Sequence, residues 1–295
     1  REYVGLCPFH DDHKPSMYVV PHKQIYSCFS CGATGDVFKF MMDFHKMTFG
    51  EALRHLADRA GVKLTERTRK RTKHDAETAV ERSHLLEANN TAHKFFRSIY
   101  KHPEHGEAAR DLVERRGISP EMVEAFGIGA SPDRWDGLDL FITKKDLSPA
   151  VFLAAGLLKD RDNGSGRYDA LRNRLVFPIR DQIGRTIAFG ARRINDEDEP
   201  KYLNSPETPL FDKSATLFGL DLAHRAIQRS GTAVIAEGYT DVIACHQAGI
   251  TNVVATLGTA LTKGHADKLR QLCHTIVLLF DGDEAGQRAA DRAAE

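Results

Sequence analysis

Residues 7–31 read CPFHDDHKPSMYVVPHKQIYSCFSC, and within them Cys7, His10, Cys28 and Cys31 make a C-x2-H-x17-C-x2-C array. Each close pair supplies two metal donors from one tight turn, and the segment between the pairs is long enough to run out, turn and come back. The spacing predicts a zinc ribbon: one Zn2+ held tetrahedrally by four protein ligands. With every position filled by protein, such a zinc is structural. His13 lies close by, but His10 has the ligand spacing.

Working outward, Gly32 and Gly35 permit a tight turn behind the second pair. Val37, Phe38, Phe40, Met41 and Phe44 then recur at helical spacing after Asp36. Thr48 and Glu51 have the form of a capping box for a second helix carrying Ala52, Leu53, Leu56 and Ala57, which Gly61 stops. Ribbon and helices together predict a small metal-stapled domain over residues 1–64, since so short a segment builds little core of its own.

Residues 65–74, TERTRKRTKH, carry five Lys or Arg, one Glu and no large apolar side chain. They read as a basic linker, either a solvated tether or an arm that contacts phosphates. From about Asp75 to Tyr100 an amphipathic helical pattern returns, and shorter helices are predicted over Glu107–Arg116, Ser119–Phe126 and Pro149–Ala155. RLVFPIRD and RTIAFGAR, on either side of Gly184, read as two extended segments joined by a polar turn. From Thr232 apolar runs alternate with helices, which predicts a parallel sheet with helical crossovers. The fold class expected is therefore a multidomain α+β and α/β chain: zinc ribbon 1–64, linker 65–74, a mixed α+β region 75–230 and a parallel-sheet unit 231–295.

The whole-molecule charge excludes one easy reading. Lys plus Arg equals Asp plus Glu at 41 each, so any nucleic-acid contact has to come from local patches. Of five cysteines, three belong to the array, and Cys245 and Cys273 sit in apolar runs as expected core residues. That usage points to a reducing, cytoplasmic setting. No apolar run reaches transmembrane length, so no membrane is expected. The chain opens at Arg1 and stops at Glu295 inside a helical pattern, and reads as a fragment at both ends.

In open parallel sheets, functional side chains gather at the carboxyl ends of strands. The run TAVIAE ends in Glu237-Gly238, and TIVLLF ends in Asp281-Gly282-Asp283. Along extended backbone Asp281 and Asp283 point to the same side. Three converging carboxylates require a compensating cation, and oxygen-only ligands suit Mg2+ or Mn2+. Asp241, four residues after Glu237, is either an N-terminal helix acid or a further metal ligand.

This order of motifs resembles bacterial DnaG-type DNA primases along nearly the whole chain. CPFHDDHKPSMYV…YSCFSCGATGDVFKF is similar to their zinc-binding domain. RNRLVFPIRDQIGRTIAFGAR…KYLNSPETPLFDKSATLFGL is similar to the basic N-terminal part of their RNA polymerase core, and AEGYTDVIACHQAG…LLFDGDEAGQRAA to their Toprim half. The resemblance implies synthesis of short RNA primers on a single-stranded DNA template from ribonucleoside triphosphates, with Glu237, Asp281 and Asp283 holding Mg2+. It implies template and nucleotide contacts from Arg174, Arg192, Lys201, Tyr202, Asn204 and Lys213. It also implies a replicative helicase partner, reached through a C-terminal region absent here. Phe9, Tyr18, Tyr26 and Phe29, interleaved with Lys14 and Lys23, are candidates for stacking unpaired bases or for the small core of the ribbon.

Two departures stand out. Ala191 in FGAR replaces a usual second glycine, with a possible effect on a tight turn, and the family's second acidic cluster does not follow Asp283. The chain alone is accordingly expected to be weakly active or inactive. The rival readings are another Toprim enzyme, a topoisomerase or nuclease, and a non-catalytic zinc-dependent DNA-binding module.

Overall fold

The computed structural model describes residues 2–10, 12–45, 47, 49–62, 64, 82–161, 164, 166–282, 284 and 290. The linker 65–74, Thr48 of the expected capping box, the first residues of the expected 75–100 helix, Asp283 and most of the last helical pattern lie outside them. The chain divides into two compact units, Arg1–Glu77 and Thr78–Glu295.

In the first unit, β1 (Tyr3–Gly5), β2 (Met17–Val20), β3 (Ile25–Cys28) and β4 (Thr34–Gly35) form an antiparallel sheet in that order. Met17 pairs with Cys28 and Tyr26 with Gly35. The β2–β3 turn closes on Gln24, which takes a left-handed φ of 54°. Asp36 starts α1 (Val37–His45) by accepting the Lys39 amide at 2.8 Å. α2 (Phe49–Ala60) ends at Gly61, whose φ of +66° supplies the left-handed turn. Phe9 stacks on Tyr26 at 5.5 Å and meets Phe40 edge-on, so these two candidate platform aromatics face the core. Phe29 instead stands 78% exposed with its ring against Tyr18.

The second unit opens with α3 (Arg82–Lys101), which buries Leu85, Ala88, Ala92, Phe95 and Phe96 on one stripe. α4 (Glu107–Arg115) and α5 (Pro120–Phe126) follow; Ser119 caps α5 with its hydroxyl, and Pro120 fills a first-turn position where no amide is needed. Next come β5 (Gly129–Ser131), α6 (Gly137–Lys144), α7 (Pro149–Ala154) and the two-stranded pair β6 (Leu158–Asp160) and β7 (Arg167–Asp169).

β8 (Arg174–Arg180) and β9 (Thr186–Arg193) are the expected hairpin and centre a four-stranded antiparallel sheet, order β10-β9-β8-β5, with β10 spanning Tyr202–Asn204. Both central strands are buried nearly end to end, because the sheet is covered on two faces. Ala191 is no turn residue. It lies fully buried mid-strand, paired with Val176 and Leu203, so the expected effect on a tight turn has no place to act. The glycine that matters is its neighbour, Gly190: a Cβ there would meet the Tyr239 hydroxyl at 2.1 Å.

α8 (Leu220–Ser230) leads into the parallel sheet β12-β11-β13, formed by β11 (Thr232–Ala236), β12 (Val253–Ala255) and β13 (Thr275–Leu279). α9 (Tyr239–Gln247) and α10 (Lys263–Leu269) make the crossovers. Val234 pairs with both Val253 and Val277, which fixes the register that sets the carboxyl ends of β11 and β13 side by side. One apolar cluster runs from α3 through Phe177 and Phe189 to Ala236, Val242 and Val253, joining the antiparallel and parallel sheets. α8 contributes Leu220, Ala223 and Ile227 to a second cluster with Ile235 and Leu269. Cys245 and Cys273 border these clusters, half-buried, as free thiols. Among the described residues no helix is long and apolar enough to cross a membrane.

Candidate active site and metal centre

The ribbon brings its four predicted ligands together. One donor atom from each of Cys7, His10, Cys28 and Cys31 lies within 4.8 Å of the others. The Cys7 and Cys31 sulfurs are 3.8 Å apart, matching the roughly 3.8 Å expected for two thiolates at about 2.3 Å from one tetrahedral zinc. His10 Nδ1 is buried with no hydrogen-bond partner, as a nitrogen reserved for a metal has to be. The thiols are unequal. Burial, with the neighbouring Cys28 and Cys31 sulfurs, pushes Cys7 up to about 11. Burial acts the same way on Cys28, but hydrogen bonds led by the Cys31 amide prevail and bring it down to about 6. Three sulfurs, one nitrogen and no open position fit a structural zinc.

The second site forms where β11 and β13 end. Glu237 leaves β11 at the surface, and its Oε1 accepts the Asp281 amide at 2.9 Å. That bond ties the two strand ends together and sets two predicted acids at one edge. Asp241 lies in the first turn of α9, where its Oδ2 accepts the Gly238 amide at 3.0 Å. That bond caps the start of the helix. Loss of water around Asp241, with the charge of Asp281 added, pushes its carboxyl up, while the Gly238 amide pulls it down. Crowding of like charges at an oxygen-only edge is the condition a hard divalent cation relieves. Among the described residues the acids do not close to the mutual spacing the ribbon ligands reach. Asp283 lies outside those residues.

The predicted nucleic-acid contacts separate into four groups. Arg192, Lys201 and Tyr202 come together: the Arg192 guanidinium carbon and the Lys201 ammonium each lie 5.9 Å from the centre of the Tyr202 ring. Arg174 is buried, and its guanidinium donates to the Pro200 and Glu199 carbonyls, so it fastens the β9–β10 loop. Asn204 accepts the Tyr239 hydroxyl at 2.5 Å and donates to Leu257 O at 2.8 Å, which joins the two sheets. Lys213 opens a short 3-10 turn whose carbonyls are held by the buried His265.

One surface escaped the sequence reading. Trp135, 55% exposed, lies edge-on to Tyr168, and the Arg172 guanidinium sits 3.9 Å above its ring with Arg161 nearby. The four residues are scattered over 38 positions, from 135 to 172, and carry no local motif. A cavity of about 530 Å³ opens next to this cluster, lined in part by Pro132, Arg134, Gly137, Asn173 and Asn195, and Glu237, Asp241 and Asp281 do not border it.

The family described as CHC2 zinc finger matches residues 1–72, DNA primase catalytic core N-terminal domain matches 94–224, and Toprim domain matches 231–295. The chain is similar to the crystal structure of the zinc-binding and RNA polymerase domains of the Aquifex aeolicus primase, with a TM-score of 0.66 and 36% identity, covering 99% of this chain and 68% of that one. It belongs to the DnaG-type DNA primase family. A DNA primase of Halalkalibacterium halodurans is 44% identical over 295 residues, all of this chain and 48% of that protein. The chain thus spans about half the length of the curated relatives it matches. A DnaG primase catalytic domain bound to single-stranded DNA also superposes, with a TM-score of 0.66, 36% identity, and coverage of 74% of this chain and 66% of that one. In primase terms, the ribbon, the antiparallel sheet and the parallel sheet are the zinc-binding, N-terminal core and Toprim parts.

Proposed function

We propose that the protein synthesises short RNA primers on single-stranded DNA during replication, joining ribonucleoside triphosphates by metal-dependent nucleotidyl transfer. The observation that carries this reading is the Glu237–Asp281 hydrogen bond, which gathers acids at the carboxyl edge of a parallel sheet in a chain that also bears a zinc ribbon. Bound at that edge, divalent cations would supply charge to the phosphates and acidify the attacking 3′-hydroxyl, as in other in-line phosphoryl displacements. Glu237, Asp281 and Asp283 would be their ligands. Asp241, engaged with the Gly238 amide, shapes the start of α9 beside them.

Template contact falls to three surfaces. Tyr202 offers a ring for a base and the exposed Lys201 beside it a charge for a phosphate, while Arg192, as buried as Arg174, backs the ring. Trp135 with Tyr168, Arg161 and Arg172 offers a second such surface. Phe29 and Tyr18 present rings on the ribbon. The similar catalytic domain bound to single-stranded DNA supports this assignment. A replicative helicase would be the partner in the cytoplasm.

Incubating the full protein with single-stranded DNA, ribonucleoside triphosphates and Mg2+ tests the reading. Short template-complementary RNA is the expected product. Cleaved DNA with no RNA would point to a topoisomerase or nuclease and overturn it.

A further inference from the structure

The residue that holds the zinc ligands in place is Asp12, which is not itself a ligand. Its side chain is 7% exposed and makes four contacts around the metal centre. Oδ2 accepts the Cys7 amide at 2.8 Å and the Ser16 hydroxyl at 2.5 Å. Oδ1 accepts the Lys14 amide at 3.2 Å and faces His10 Nε2 at 3.7 Å. Ser16 Oγ lies in turn 3.3 Å from the Cys28 sulfur. One carboxylate therefore reaches three of the four ligands: Cys7 through its backbone, His10 through its ring and Cys28 through Ser16.

The His10 ring shows the consequence. Its Nδ1 is buried and has no partner, while its Nε2 is the nitrogen nearest the carboxylate. A neutral imidazole carries one N–H, and a carboxylate beside Nε2 draws the proton there. Nδ1 is left with its lone pair free for the metal. A carboxylate held beside a ligating imidazole also restricts how its ring can turn. The geometry points to Asp12 as a positioning residue that selects the His10 tautomer and holds the Cys7 turn for zinc, with Ser16 fastened by it against the Cys28 sulfur.

Zinc competition against a chromophoric chelator, run on the full chain, reads the effect directly. Asp12→Ala is expected to weaken zinc binding about 10- to 100-fold, the usual cost of losing such a partner. Asp12→Glu is expected to restore binding to within a few-fold of the parent, and Ser16→Ala to give a smaller loss than Asp12→Ala. Asp12→Asn keeps an acceptor for the Cys7 amide but removes the charge behind His10, so it guards against simple unfolding of the loop. In zinc-saturated protein, 15N NMR of the His10 ring separates positioning from bulk structure. The parent should show metal at Nδ1 and a protected Nε2–H, and Asp12→Asn should lose that protection with the cysteine ligands still bound. Zinc affinity within twofold of the parent in Asp12→Ala, or metal at Nε2 with the proton on Nδ1, would overturn the assignment.

Discussion

The ribbon core is a cluster of Cys7, Met17, Tyr26 and Cys28, two of which are metal ligands, bordered by Phe9, Ala33 and Phe40. The unit from residue 78 onward buries Phe96, Phe177, Phe189, Phe211 and Phe218 almost completely in an apolar network that crosses two sheets. The same chain thus solves folding in two ways. A short segment that cannot remove enough apolar surface from water closes around an ion, where binding free energy becomes folding free energy. A long segment closes around side chains, each fully buried phenylalanine contributing roughly 2–3 kcal/mol. The difference also separates the two sites: the zinc site is saturated by protein, whereas Glu237, Asp241 and Asp281 at the β11–β13 edge are exposed.

The strongest way to break this contrast is to remove the metal. Chelating zinc should unfold residues 1–64 and leave the second unit folded, since structural zinc supplies roughly 10 kcal/mol or more in small zinc-dependent folds. Limited proteolysis should then cut around Cys28 while the β8–β9 hairpin stays protected. An unchanged pattern at Cys28 would mean that the ribbon holds without its ion.

A core substitution should do the reverse. Gly190→Ala places a methyl group against the Tyr239 hydroxyl, where Phe177 stacks at 5.0 Å, and neither ring has room to withdraw. A loss of about 3 kcal/mol in urea unfolding is expected, at the upper end for overpacking, with zinc affinity unchanged. A parallel loss of zinc would show that the two units are not independent.

A smaller effect distinguishes the units by pH. Asp169 is buried and accepts the Leu138 and Asp139 amides at the start of α6. Burial outweighs those bonds and pushes its carboxyl up to about 6. The folded state then binds this proton more tightly than the unfolded chain, whose aspartates titrate near about 3.9. On this group's account, stability is fully present below about pH 4 and is lost as pH rises through about 6, by roughly 1–3 kcal/mol. Trp135, the single tryptophan, accepts the Asp169 amide through its carbonyl and reports the unfolding by fluorescence. Asp169→Asn should flatten the dependence over that window; an unaltered slope would remove Asp169 as its source.

What could be read beforehand follows the same division. The ligand array, the helix after Asp36 and the β8–β9 hairpin are local patterns, and spacing along the chain specifies them. The parallel sheet is legible because apolar runs alternate with helices, and Glu237 reaches the Asp281 amide because register aligns their strand ends. Contacts between distant segments were not legible. The bonds from Arg174 to the carbonyls of Glu199 and Pro200 span some 25 residues and leave no mark in the spacing. Nothing in the spelling of Trp135, Tyr168 and Arg172 marks them as neighbours. Asn204 was picked out as a nucleotide contact, but its bond to Tyr239 depends on how two sheets pack. Asp12 lies inside the array, but its bonds to the Cys7 amide and Ser16 follow from the fold of the turn and not from ligand spacing.

The most direct measurement of the account is primer synthesis by the full protein carrying Asp281→Asn, at saturating zinc and with its thermal unfolding matched to the parent. Loss of a ligand that carries several kcal/mol of transition-state stabilisation predicts a fall of about 10³-fold in RNA product, partly recovered when Mn2+ replaces Mg2+. RNA made at the parental rate would contradict the assignment of the chemistry to the β11–β13 edge.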